Sequence, residues 1–147
     1  MKPDLKHKVV PVLILTVGGV LLLGLTFMAY YGVVLLGERF IAGGNPQLFP
    51  MDRARFYTMA GIFIAYILVG RFLKNDLLKS LLFISPFTMA LVVVILKYYE
   101  TPFLALSIVV LFFLLTLGVF RMKRSNWMYY YAASMSFVIA LAYAWPR

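Results

Sequence analysis

Glu38, Arg39, Arg53, Arg55, Lys97 and Glu100 are the side chains of this 147-residue sequence best suited to recognise something charged. Arginine presents a planar fork of donors that matches phosphate and carboxylate, so a layer rich in it can hold a lipid headgroup or a partner's acidic patch. Four of the six lie in GERFIAGGNPQLFPMDRAR, Gly37 to Arg55, the longest polar interruption in a chain that is otherwise nearly a continuous series of apolar segments. Part of that stretch is a connector: Gly43-Gly44-Asn45-Pro46 reads as a turn, and Asp52 is placed to cap a helix beginning after Pro50. The competing use of these charges is mutual neutralisation, Glu38 with Arg53 or Arg55 and Lys97 with Glu100. Surface pairs of that kind are worth only about 0–1 kcal/mol and need no function to exist.

Other chemistries find few residues to work with. The single histidine, His7, sits in a basic N-terminal tail and is expected to be solvated rather than a ligand, and there is no cysteine. No serine has a candidate histidine base, and neither a phosphate-binding glycine loop nor an acidic metal-binding cluster is visible. The expectation is therefore no catalytic residue, no metal and no cofactor. The net charge of +9 does not point to nucleic acid, because the basic residues sit at the ends of apolar runs, where lysine and arginine meet lipid headgroups.

These residues must be positioned by a membrane architecture. With 64% hydrophobic residues, 13% charged residues and a mean hydropathy of +0.95, the chain is far more apolar than a soluble domain, at about 45–50%. It reads as one transmembrane helical domain, residues 1–147, with helices at about 9–36, 56–73, 77–96, 103–120 and 127–145. The basic N-terminus precedes an apolar run too long for a signal peptide, so a retained anchor is expected. The short connections KND, KYYETP and RMKRSN make consecutive helices antiparallel neighbours.

The second segment is the shortest candidate, and it spans if Arg71 reaches the headgroups from near its end. Orientation follows from the basic residues on alternate sides. With the N-terminus inside, the inner set is Lys2, Lys6, Lys8, Arg71, Lys74, Lys79, Arg121, Lys123 and Arg124, against Arg39, Arg53, Arg55, Lys97 and Arg147 outside. That predicts N-in, C-out in a bacterial cytoplasmic membrane. A bundle of four spanning helices with the second segment lying on the inner surface has the same split of charges. Aromatic residues at both predicted levels, Tyr30, Tyr31, Tyr98 and Tyr99 outside and Trp127 to Tyr131 inside, match the boundaries.

No ionisable side chain lies near a helix centre, which argues against a proton-coupled pump. Ala132, Ser136, Ala140 and Ala144 recur every fourth residue, and Gly61 and Ala65 repeat the pattern once; small stripes of this kind let helices approach closely, within a bundle or between molecules. Ser85-Pro86 falls midway through the third helix, where the missing amide should kink it and free the Leu82 carbonyl. The resulting expectation is a non-catalytic accessory or assembly subunit of a membrane complex, in contact with lipids and a protein partner or a second copy. The alternative is a carrier or binder of a lipid or other hydrophobic anionic substrate, using the outer arginines.

Overall fold

Apolar runs bounded by charge and turn residues fold here into five α-helices. A computed structural model describes residues 3–41, 43, 45, 47 and 49–144, with side chains from Lys8 onward. The helices are α1 Pro3–Phe40, α2 Met51–Phe72, α3 Asp76–Lys97, α4 Pro102–Met122 and α5 Trp127–Ala144. No strand occurs among the described residues. The side chain of His7 and residues Lys2, Gly44, Pro46 and 145–147 lie outside that description.

Local chemistry sets the ends. The Asn75 side chain accepts from the Leu77 amide at 2.9 Å and caps α3, while Pro102, whose missing N–H is harmless in a first turn, opens α4. At the end of α4 the Arg124 amide bonds the Arg121 carbonyl at 3.2 Å and the Ser125 amide bonds the Phe120 carbonyl at 2.9 Å. This paired closure needs a left-handed residue, and Arg124 supplies it at φ 49° without being glycine. α2 departs from the sequence-based boundary: it begins at Met51 rather than near Phe56, so Asp52 lies inside the first turn and the capping position falls to Pro50, which makes no side-chain bond. The gain of a turn brings α2 to 22 residues.

Among the described residues, four helices are long and apolar enough to cross a membrane: α1 from Lys8, α2, α3 and α4, which fits a multi-pass membrane protein. α5 is not among them; at 18 residues it opens with Trp127, Tyr129, Tyr130 and Tyr131, whose polar edges lower its hydropathy. α1 is one helix of 38 residues, about 57 Å long at 1.5 Å per residue, against a hydrocarbon layer of about 30 Å.

α3 is the centre of the bundle. Its side chains are buried without interruption from Phe83 to Val92, as expected of a helix that is apolar on every face. α1, α2, α4 and α5 all pack on it, α5 over the longest interface. α1 contributes Leu15 and Leu23, α4 contributes Ala105 and Val109, and α5 contributes its small residues; α2 buries none of its side chains. Two hydroxyl pairs tie α1 to its neighbours, Thr16 with Tyr131 at 2.8 Å and Thr26 with Ser85 at 2.7 Å. At Gly19 a β-carbon would stand 2.7 Å from Ile84 Cδ1, so any side chain there would have to displace that buried methyl.

Candidate functional site

The first turns of α2 gather the charged residues that matter. Arg55 Nη1 donates to Asp52 Oδ1 at 3.3 Å, an i,i+3 pair whose carboxylate side is almost fully exposed. Among the described residues this is the ion pair formed; Glu38 does not pair with Arg53 or Arg55, and Lys97 does not pair with Glu100. Lys97 instead places Nζ 5.8 Å from the ring centroid of its neighbour Tyr98. The reason for the first difference is the position of α2: its extra turn puts a nearer carboxylate, Asp52, on the same helix face as Arg55.

Two hollows meet at this turn. The smaller, about 290 Å³, lies between α2 and α3 and is walled by Asp52, Arg53, Arg55, Tyr57, Val93 and Lys97 among others. Three cations against one carboxylate leave it with an excess of positive charge. The larger, about 680 Å³, is an open groove between the C-terminal part of α1 and the face of α2. Val33 and Gly37 form its α1 side, Tyr57, Gly61 and Ala65 its α2 side, and Phe49 closes it at the loop end. Arg53 and Tyr57 belong to both hollows.

Phe49 holds this geometry. Its ring is 8% exposed and occupies the space over Gly37, where a β-carbon would come within 2.5 Å of Cε2. Gly37 thus gives the loop an anchor on α1, and the chain can then turn into α2 alongside. Gly43, at φ +58°, adopts the left-handed conformation that glycine tolerates, and the Asn45 side chain accepts from the Gln47 amide at 3.1 Å.

Of the charged residues singled out by sequence, Arg53, Arg55 and Lys97 come together, whereas Glu38, Arg39 and Glu100 line neither hollow. The small-residue sets separate as well. Ala132, Ser136 and Ala140 are wholly buried and Ala144 is 5% exposed, within the α3–α5 interface, with Ser136 Oγ 3.4 Å from the Ile84 carbonyl oxygen. Gly61 and Ala65 face outward, and a β-carbon on Gly61 would meet nothing within 4 Å. Ser85 turns its hydroxyl to Thr26, and Pro86 walls a third hollow of about 140 Å³. Near it on α3, Thr88 Oγ1 is buried without a hydrogen-bond partner.

Sequence reasoning missed Phe49, Tyr57, Val33 and Gly37. Gly37 carried a signal in principle, since a glycine near the end of a long apolar helix permits close approach, but its partner Phe49 lies across a loop and shares no periodicity with it. Among the described residues no three of His, Cys, Asp and Glu converge as metal ligands. Comparison with known protein families, curated proteins and solved structures returned no match.

Proposed function

We propose that this chain is a non-catalytic multi-pass protein of the bacterial cytoplasmic membrane that binds an anionic membrane lipid at the outer end of α1 and α2. The observation that carries the reading is the junction of the two hollows at Arg53: an apolar groove of about 680 Å³ opens beside a recess rich in positive charge. An amphiphile needs that pairing, hydrocarbon walls for its chains and a cationic rim for a phosphate. In this reading all five helices cross, with the N-terminus inside and the C-terminus outside. The 18 residues of α5 supply about 27 Å, close to the hydrocarbon thickness of about 30 Å. Arg53, Arg55 and Lys97 then stand at the outer headgroup level.

Native mass spectrometry from mild detergent tests the proposal. The wild-type chain should retain an anionic phospholipid, and Arg53→Ala with Arg55→Ala should lose it. A bare chain, or undiminished binding by the double variant, would refute lipid recognition here.

A second reading, an accessory or assembly subunit of a membrane complex, draws support from the open face at Gly61 and Ala65. An exposed small-xxx-small pair, with open space at Gly61, is the kind of surface on which a transmembrane helix packs. In the same spectra it would register as a stoichiometric protein partner. The buried set on α5 lends this reading nothing, since α3 already occupies that face.

A further inference from the structure

The lipid groove continues deeper than its cationic mouth requires. Its inner end is walled by Ile62 and Ala65, and the same two side chains wall the hollow of about 140 Å³ beside Pro86. The two spaces are therefore neighbours across one turn of α2, separated by an isoleucine side chain and a single methyl group. Measured along the helix, Arg53 to Ala65 is about 18 Å and Arg53 to Val69, on the far wall of the Pro86 hollow, about 24 Å.

The chemistry of the inner hollow fits the end of a hydrocarbon chain. Its other walls include Leu22, Tyr66, Leu82 and Pro86, and carbon makes up nearly all of its surface. Tyr66 and Ser85 are the polar residues in its lining, and the Ser85 proton is engaged elsewhere. Thr26 gives its own proton to the Leu22 carbonyl at 2.8 Å, so in the 2.7 Å contact between the hydroxyls Ser85 is the donor and points toward α1. Proline contributes no amide to the hollow.

We propose that Ala65 sets the acyl-chain length that the site accepts: chains long enough to pass Ala65 reach the Pro86 hollow and are held in preference to shorter ones. The inference rests on the lipid-binding reading above and specifies the ligand as a long-chain anionic phospholipid of the surrounding bilayer. Occupying the inner hollow adds van der Waals contact that a short chain forgoes. A larger side chain at position 65 would close the passage without touching the headgroup residues.

The test uses the full-length chain in mild detergent, offered equal amounts of dilauroyl and dipalmitoyl phosphatidylglycerol and read by native mass spectrometry. Wild type should retain the dipalmitoyl lipid several-fold over the dilauroyl. Ala65→Phe should abolish that preference while still binding the dilauroyl form, and Ile62→Ala, which widens the same passage, should preserve or increase it. Arg53→Ala should weaken both lipids alike. Equal retention of the two lipids by wild type, or an unchanged preference in Ala65→Phe, overturns the chain-length role while leaving lipid binding standing. Failure of wild type to retain either lipid removes the underlying reading itself. Ala65 is exposed, so the variant should fold; the Ile62→Ala arm tests the same passage by enlargement in case it does not.

Discussion

Ala140→Leu puts the assignment of the α5 stripe to a direct test. Ala140 is wholly buried in the same core cluster as Ile84, Leu91 and Ile95 of α3, which are also without exposure, so a larger side chain must displace packed neighbours. Leucine adds three carbons at that point. Forcing methylenes into a packed interface costs typically about 1–3 kcal/mol, and the full burial of those α3 neighbours places this case at the upper end. A loss of about 3 kcal/mol changes the folded-to-unfolded ratio by more than a hundredfold and is a large share of a net stability of about 5–15 kcal/mol. Val138→Leu, two residues away on the 63% exposed face, should change stability by less than about 0.5 kcal/mol. Denaturation by dodecyl sulfate in mixed micelles, followed by the fluorescence of the two tryptophans, Trp127 and Trp145, reads both variants against wild type. Equal midpoints for the two would refute the packing argument. So would a destabilised Val138→Leu beside an unaffected Ala140→Leu, since the stripe would then face outward.

Thr88→Val should raise stability by about 1–3 kcal/mol in the same titration, because it replaces a buried hydroxyl that has no partner with a methyl of similar shape; a fall would show that the hydroxyl is satisfied. Gly37→Leu should drive the Phe49 ring off Gly37, since even its β-carbon would stand 2.5 Å from Phe49 Cε2, and fill the groove, so retained lipid is lost in native spectra while the denaturation midpoint, set by the α3 core, stays near wild type. A collapse of the midpoint would mean that Phe49 supports the bundle as well as the groove. The absence of native cysteine allows single-cysteine labelling without background. Arg53→Cys should react with an impermeant maleimide added to intact cells and Lys74→Cys and Lys123→Cys only after permeabilisation, and reaction of Arg53→Cys only after permeabilisation would place α2 on the inner side.

The helices themselves were legible. Hydropathy and the flanking charges located all five, with boundaries that shifted most at α1, which begins at Pro3 and runs on to Phe40, and at α2, which starts a turn early. The shifts beside the α1–α2 connection have a common cause: the polar stretch from Glu38 to Arg55 interrupts the apolar runs, yet charged side chains at a helix end can turn outward while the backbone keeps its bonds. The cluster of Arg53, Arg55 and Lys97 was legible as a shared level along the bundle. Its counter-ion was not, because choosing Asp52 over Glu38 depends on where α2 begins.

Sequence alone determined that the chain is a set of apolar helices, since the need to satisfy every backbone amide within an apolar run leaves little choice. Tertiary structure decided which of them is the core. α4 is the more apolar, with mean hydropathy 2.8 and 11% of its span buried, whereas α3 has hydropathy 2.1 and 67% buried. A side chain facing lipid and one facing another helix are both hydrocarbon, so composition does not distinguish them, and close packing does. The stripe on α5 reached α3 because four small residues let two backbones approach, whereas the Gly61 and Ala65 pair stayed exposed as one wall of the groove between α1 and α2.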